Sequence, residues 1–353
     1  MTAAERFRTA LRRNVPDRIP LTSGFPWPEA VERWQTEGLP ADTAVEDALG
    51  LDTVTGAWLP ADLGFKVRVI EETDAYKVEV DANGVTTKIW KDHYATPLQL
   101  AFAIRTYDDW KRHRHRLDPD RFPVSDDVIQ ASQDAHEAGA FHYLTVTEPI
   151  WFALRLLGHE NCLEWMLMDP AFVEDIVACA TDFGLEQAER HLAAGGKFSC
   201  LWLWSDLCYK NGMLYSPAVH RRLFLEHHRR IKAWCDRHDL PIVFHCDGLV
   251  RDFIPLLIEA GIDCVQPLEA RCGNDVRVYK RQYGRDIALF GNIDMDVLAR
   301  GDRSQIEQEV VTKIEAAKVD GGYLHCSDHS VPPTVSWDTY RFWQDLARDH
   351  ADY

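Results

Sequence analysis

The segment PIVFHCDGLV (241–250) decides how the chain is interpreted, because an apolar run ends in polar groups. Residues 242–244 are typical of a buried strand. His245, Cys246 and Asp247 follow directly. Residues two apart on a strand point to the same side, so we expect His245 and Asp247 to face one cavity. Cys246 is expected to point the other way, into the layer beneath the helices.

Segments of the same form recur along the chain. The stronger ones are HYLTVTEP (142–149), FSCLWLWSD (198–206), DCVQPLE (263–269), DIALFGNID (286–294) and GYLHCSD (322–328), and two weaker ones lie at 18–24 and 52–58. Helical patterns separate most of them, at 124–139, 162–196, 216–238 and 249–261. Alternating strands and helices predict a parallel sheet, and eight strands are the number in a (β/α)8 TIM barrel. The sequence therefore predicts an α/β fold, organised as a single barrel domain over 1–353.

Two additions to the barrel are predicted. An amphipathic start with Thr2 and Glu5 at capping-box spacing predicts an N-terminal helix. KVRVIEETDAYKVEVDANGVTTKIWK (66–91) alternates with period two around the turn Asp81 to Gly84. This pattern predicts a small β-hairpin insertion, with the inserted region spanning 66–100.

Composition excludes several classes of protein. The formal net charge of −17 argues against nucleic acid as a partner. No run of 18 apolar residues is present, so no membrane span is expected. The first residues lack the apolar stretch of a signal peptide, and the nine cysteines include no CxxC pair. These features predict a cytoplasmic protein with reduced thiols.

Polar side chains follow six of the predicted strands, and the carboxyl ends of barrel strands share one face. Each single residue has the alternative interpretation of a helix cap or turn residue. The coincidence across six strands favours a site. The candidates are, for catalysis, Glu148, Asp206, Glu269 and Asp328; for substrate binding, Trp204, Lys210 and Asn292; and for a metal, His245, Asp247, Cys326 and His329.

Each candidate role follows from side-chain chemistry. Imidazole, carboxylate and thiolate are the usual zinc ligands, although the same groups also form hydrogen-bonded networks without metal. Glu148 and Glu269 suit general acid–base work, and Asp206 and Asp328 suit orientation of substrate or imidazole. Trp204 could stack on a flat or methylated substrate. Lys210 could hold a polar substrate group, with an ion pair to Asp206 as the alternative.

Several motifs resemble the uroporphyrinogen decarboxylase superfamily. They are ERFRTALRRNVPDRIPL (5–21), WSDLCYKNGMLYSP (204–217), FHCDG (244–248), LIEAGIDCVQPLE (257–269), RQYGRDIALFGNID (281–294) and GGYLHCSDHSVPPTVSW (321–337). The resemblance implies a (β/α)8 barrel. It also implies either cofactor-free decarboxylation of a porphyrinogen or zinc-dependent methyl transfer to or from a corrinoid protein. A homodimer is a further implication.

This chain departs from the superfamily pattern at two places. The arginine-rich motif of the decarboxylases is missing from LTSGFPWPEAVERW (21–34), which weighs against a porphyrinogen substrate. In the methyltransferases zinc is held by a His-x-Cys element and a distant cysteine. His245 matches that histidine, Asp247 stands at the first cysteine, and the distant position falls on His329, three residues after Cys326. The resemblance thus implies zinc or another divalent ion with fewer thiolates, which favours activating an oxygen or a water over a thiol.

The leading hypothesis is metal-assisted methyl transfer or demethylation of a small molecule, feeding a corrinoid protein. The alternative is a metal-free, decarboxylase-like lyase that acts on a small carboxylated substrate. A third interpretation is a barrel that binds a ligand or a corrinoid protein without chemistry of its own.

Overall fold

The backbone is described by a computed structural model for residues 1–91 and 96–353. Its strands are β1 (Val54–Trp58), β2 (Arg68–Glu72), β3 (Tyr76–Val80), β4 (Val85–Trp90), β5 (Leu98–Phe102), β6 (Phe141–Thr145), β7 (Cys200–Trp204), β8 (Cys208–Tyr209), β9 (Gly212–Met213), β10 (Ile242–His245), β11 (Cys264–Gln266), β12 (Ala288–Phe290) and β13 (Tyr323–Leu324).

Helices separate most of these strands. They are α1 (Ala3–Leu11), α2 (Pro28–Thr36), α3 (Val45–Leu49), α4 (Tyr107–His113), α5 (Asp126–Glu137), α6 (Pro149–Leu157), α7 (His159–Met168), α8 (Pro170–Ala193), α9 (Pro217–Leu223), α10 (Leu225–Arg237), α11 (Ile254–Ala260), α12 (Val276–Tyr283), α13 (Met295–Arg300), α14 (Arg303–Ala317) and α15 (Trp337–Asp349). Short 3₁₀ turns lie at Arg114–Arg116, Pro119–Arg121 and Ala270–Cys272.

Seven strands form a curled, entirely parallel sheet in the order β1-β6-β7-β10-β11-β12-β13. Every predicted strand from 52–58 onward overlaps one of them. The predicted strand at 18–24 is reduced to a single parallel bridge between Leu21 and His325. Leu21 also accepts the N–H of Asp52, just before β1, in a 2.9 Å hydrogen bond. The fold is therefore mixed α/β with a curled parallel sheet, as predicted in its coarse form.

The predicted hairpin is part of a larger insertion. β3 and β4 pair antiparallel across the turn Asp81 to Gly84, as predicted, and β2 and β5 extend the pair to four strands. The predicted 66–100 insertion includes residues 92–95, which lie outside the described residues.

Proline divides one predicted helix. The pattern over 162–196 is a single amphipathic run, yet α7 ends before Asp169 and α8 begins at Pro170. Proline has no N–H to donate and clashes with the preceding turn, so it starts a helix rather than continuing one. The Thr2–Glu5 capping box of α1 is present as predicted.

The interior of the curled sheet is packed around α1. Phe7 of α1 stacks on Phe141 at 4.4 Å, at the amino end of β6. Trp202, Val243 and Leu324 belong to the same buried cluster. Because α1 fills the amino end of the sheet, the carboxyl ends of the strands are left for a site. No helix among the described residues has the length and apolar character needed to cross a membrane.

Candidate functional site

His245 ends β10, in register with Gln266 of β11. Its Nδ1 lies 2.6 Å from Oε1 of Gln266. An amide oxygen only accepts a hydrogen bond, so the neutral imidazole carries its proton on Nδ1. Nε2 then presents its lone pair to the cavity. The Gln266 side chain thus determines which nitrogen of His245 is available as a ligand.

Two carboxylates approach Nε2 of His245. Oδ1 of Asp206, after β7, lies 3.7 Å away, and Oδ1 of Asp247 lies 3.8 Å away. Oδ1 of Asp206 also accepts the N–H of Asp247 in a 3.2 Å hydrogen bond, which holds the two strand ends together. Asp206, His245 and Asp247, hereafter the strand-end triad, offer ligand atoms that all lie within 4.8 Å of one another.

The donor chemistry of the strand-end triad fits a divalent cation. Separations of 3.7 and 3.8 Å are too long for hydrogen bonds. They are close to the roughly 3.4 Å that separates ligand atoms around a tetrahedral zinc at about 2.1 Å. Oδ1 of Asp247 is buried and has no hydrogen-bond partner among the described residues. Burial raises the pKa of the Asp247 carboxyl above its usual value, and His245 opposes the shift. A cation bound between these groups would offset both the missing hydrogen bond of Oδ1 and the cost of burying the charged carboxylate.

His329 approaches the same carboxylate from the loop that follows β13. Its Nε2 lies 3.8 Å from Oδ2 of Asp247, and its side chain is 48% exposed. A cavity of about 160 Å³ is lined by His245, Asp247 and His329 together with Trp204 and Phe25. The structure therefore brings the two predicted imidazoles into one cavity, with Asp247 between them.

Neither Cys326 nor Cys246 belongs to the group of ligand atoms that the strand-end triad forms among the described residues. Cys326 lines the cavity, but its Sγ lies 3.6 Å from Oγ of Ser327, and burial raises its pKa to about 11. Cys246 is fully buried in the core outside the sheet, on the face opposite His245, as predicted. Neither thiol is therefore retained as a candidate metal ligand in this cavity.

Asn292 and Asp328 are enclosed by the loops that they connect. Nδ2 of Asn292 donates to the carbonyl groups of Leu268 and Asn274, and its Oδ1 accepts the N–H of Val276. The Asp328 carboxylate accepts the N–H groups of Ala270 at 2.9 Å and Met295 at 3.1 Å. Burial raises the pKa of Asp328 to about 6. Both residues are almost fully buried, and these contacts make them bridges between loops.

The two candidate glutamates differ in exposure. Glu148 is fully buried: Oε2 accepts the N–H of Trp151 to cap α6, and Oε1 lies 2.9 Å from Nε2 of His228. This is the helix-cap alternative considered for strand-end acids. Glu269 is partly exposed and accepts the N–H of Gly248 at 2.9 Å, beside the strand-end triad.

Trp204 and Lys210 have different surroundings. The Trp204 ring lies 4.3 Å from the His245 ring and 5.3 Å from Trp58, so it forms a wall of the cavity. Lys210 is exposed in the turn between β8 and β9. No carboxylate of the described residues lies within 4.0 Å of its ammonium group, so the ion pair with Asp206 that was the alternative to substrate binding is not formed.

Gln266 and Phe25 are among the residues of the cavity that sequence reasoning missed. Gln266 is the last residue of β11 and lies in register with His245; its signal in the sequence was its place at the polar end of an apolar run. Phe25 has a φ of 52° and packs edge-on against Trp204 at 6.4 Å. A left-handed phenylalanine is strained, and neither its conformation nor its position is visible in the sequence.

Comparisons with known proteins agree with this architecture. The model of the family "Uroporphyrinogen decarboxylase (URO-D)" matches residues 78–350. Among solved structures, a methyltransferase from Methanosarcina mazei is similar over 99% of each chain, with a TM-score of 0.64 and 15% sequence identity. At that identity the likeness supports the fold. No curated protein sequence matches significantly.

The family match covers more than half of the chain. It includes all of the strand-end triad and the six parallel strands that follow β1. It indicates an enzyme of the uroporphyrinogen decarboxylase type. The chain belongs to the uroporphyrinogen decarboxylase family.

Proposed function

We propose that this protein catalyses metal-assisted methyl transfer or demethylation of a small molecule. The supporting observation is the convergence of Asp206, His245 and Asp247, with the buried Oδ1 of Asp247 lacking any described hydrogen-bond partner. These three residues would hold a divalent ion, and His329 is near enough to join them. Compared with the metal ligands predicted from the sequence, this proposal adds Asp206 and leaves out Cys326.

The donor set favours zinc or another borderline divalent ion, since imidazole and carboxylate suit several such metals. When bound, the ion would supply Lewis acidity to an oxygen of the substrate or to a water. Gln266 keeps Nε2 of His245 free for this role. Trp204 limits water on one side of the imidazole.

We propose Glu269 as the residue that holds or delivers a proton during the reaction. Its partial exposure and its hydrogen bond to Gly248, one residue from Asp247, support this role. Glu148 is not retained for it, because both of its carboxylate oxygens are engaged away from solvent.

Metal analysis of the purified protein tests the proposal directly. We expect about one divalent ion per chain, and loss of binding in His245→Ala and Asp247→Asn, because each removes a ligand. Asp252→Asn, which changes an exposed carboxylate five residues further on, is the matched control and should bind as the wild type does. Failure of the wild type to retain or bind any of zinc, cobalt, nickel or manganese would refute the proposal.

The metal-free lyase is the outcome to be separated from this one. Once a substrate is found by screening methylated and carboxylated compounds, the wild type is assayed after exhaustive chelation. Loss of methyl transfer, restored by one metal, supports the proposal. Release of carbon dioxide at an unchanged rate without metal identifies the decarboxylase-like alternative.

We propose further that the methyl group passes to a corrinoid protein, an expectation that rests on the family resemblance. Methylation of added cob(I)alamin, followed by its absorption spectrum, tests this step. No spectral change with a substrate that loses its methyl group would exclude a corrinoid acceptor. A homodimer is proposed on the same resemblance, and sedimentation measures it.

The fold proposal is a closed (β/α)8 barrel in one domain. Its support is the bridge from Leu21 to His325 at one edge of the sheet and the hydrogen bond from Asp52 to Leu21 near the other. Residues around Leu21 would then act as the eighth strand between β13 and β1.

A further inference from the structure

A second cavity adjoins the strand-end triad. It has a volume of about 230 Å³ and shares Trp204 as a wall with the cavity of His245 and His329. Its other walls include the aromatic side chains of Trp58, Trp151 and Phe152, together with aliphatic residues and polar ones such as Asp81 and Glu148. Trp58 is 56% exposed, so an indole face is open to a ligand there. The shape and lining suit an aromatic body.

Among the residues that the structure describes, Arg155 is the only basic side chain on the walls of this second cavity. It lies in the last turn of α6, and its backbone is fixed because Gln99 of β5 donates to its carbonyl oxygen at 2.9 Å. No carboxylate oxygen of the described residues lies within 4.0 Å of its guanidinium. The guanidinium lies 5.9 Å from the centre of the Trp151 ring.

Arg155 also lines a third cavity of about 510 Å³, which extends to Asp206 of the strand-end triad. His159 lines the same cavity. Burial and the charge of Arg155 lower the pKa of His159, whereas Asp206 opposes that shift. His159 therefore experiences both charges, and a continuous surface connects the guanidinium to the triad.

The surroundings of Arg155 determine which anion it suits. A guanidinium binds a carboxylate through two parallel hydrogen bonds. A phosphate dianion would be repelled more strongly than a carboxylate, because Asp206 and Glu160 line the same cavity as Arg155. One cation among acidic neighbours therefore favours a monoanion. Exposed arginines elsewhere, such as Arg114 and Arg221, already have carboxylate partners.

We propose that Arg155 binds the carboxylate of an aromatic substrate, whose ring lies against Trp58 and Trp151 and whose methyl-bearing end reaches the strand-end triad. The substrate class is then methyl ethers of aromatic carboxylic acids. The inference rests on the proposed function, which it makes more specific.

Binding of 4-methoxybenzoate and its uncharged analogue 4-methoxybenzamide to the metal-loaded protein tests this inference. Calorimetry should show the carboxylate bound more tightly by the wild type. Arg155→Gln should weaken carboxylate binding by about 10- to 100-fold, the effect of losing a charged hydrogen-bonded partner, and leave amide binding unchanged. Arg155→Lys should retain part of the preference, because it keeps the charge without the planar pair of donors.

Arg281→Gln is the matched control, since it removes an exposed arginine on α12 that lines none of these cavities. It should bind both probes as the wild type does. Equal binding of the two probes by the wild type, or no binding of either, overturns the inference. An undiminished carboxylate preference in Arg155→Gln also overturns it, because the carboxylate would then bind elsewhere, for example at the metal. Metal content is measured in the same samples, so failure of the Arg155 inference is distinguishable from failure of the proposed function.

Discussion

Asn292 and Asp247 each follow the carboxyl end of a buried parallel strand, on the same side of the sheet. Their side chains nevertheless have opposite surroundings. Every polar group of the Asn292 side chain is bound to the backbone of a neighbouring loop. Asp247 keeps a buried oxygen with no described hydrogen-bond partner, facing an imidazole and a second carboxylate.

The difference shows that polarity at a strand end is ambiguous until the hydrogen bonds are known. In folded proteins nearly all buried polar atoms form hydrogen bonds, so a polar side chain with all its hydrogen bonds formed is interpreted as part of the fold. A buried polar group without a hydrogen bond destabilises the fold, and where other ligand atoms surround it, a bound cation or substrate can offset that loss of stability. Asn292 and Asp328 belong to the first kind, and the strand-end triad belongs to the second.

The largest effect is expected from Asn292→Ala. The substitution leaves the carbonyl groups of Leu268 and Asn274 and the N–H of Val276 buried without their partner. At about 1–3 kcal/mol for each unsatisfied group, the free energy of unfolding should fall by about 3 kcal/mol or more. Urea unfolding measures it.

The control for this variant is Asn211→Ala, in the exposed turn after Lys210, which should change stability by less than about 0.5 kcal/mol. Folded Asn292→Ala should keep its metal. A loss of stability below about 1 kcal/mol would show that Asn292 is not a structural bridge, and its predicted role in substrate binding would regain support.

Much of the fold was predictable because the apolar runs are long and their order is regular. The segments 198–206 and 241–247 contain β7 and β10, and the observed strands are shorter because the polar residues at their ends lie in loops. The 18–24 segment could not be assigned with the same success. Its pairing is a single bridge at Leu21, and a long-range contact of that kind leaves no periodic pattern.

The candidate site was predictable in type but not in detail. His245 and Asp247 followed from period-two geometry, and their proximity to His329 agrees with the prediction. The orientation of Nε2 depends on Gln266, a contact between strands that the sequence does not state. Hydrogen-bond satisfaction, which separates Asn292 from Asp247, is a property of the folded loops alone.

The second-largest change in stability is expected from His220. Its imidazole is buried in the core, whereas that of His245 faces the cavity. Burial lowers the pKa of His220 to about 2, with His228 and Arg221 adding to the shift, and Tyr215 lies 3.3 Å from its Nδ1. The native state keeps His220 neutral while the unfolded chain takes up a proton below about pH 6.5. Stability is therefore lost as the pH falls, by about 2 kcal/mol from this group between about pH 6.5 and pH 4.5.

Replacing His220 with Phe should remove that share of the pH dependence, whatever its effect on stability at neutral pH. The measurement is the free energy of unfolding in urea at the two pH values. Phe253→Leu, which alters the ring packed 5.4 Å from His220, should lower stability equally at both. An unchanged pH dependence in His220→Phe would mean that the imidazole is protonated in the folded protein.

The smallest effect, with the opposite sign, is expected from Asp247→Asn in metal-free protein. The substitution removes a buried charge near Asp206, so stability in EDTA should stay equal or rise by up to about 1 kcal/mol. With zinc at 100 times its dissociation constant, the free energy of unfolding of the wild type should rise by about 2.7 kcal/mol. The wild type should then be more stable than Asp247→Asn. Thermal unfolding under both conditions, with Asp252→Asn as control, measures this. A variant that is clearly less stable in EDTA would place Asp247 with Asn292 among the structural residues, because a carboxylate needed for folding in the absence of metal is a bridge rather than a ligand.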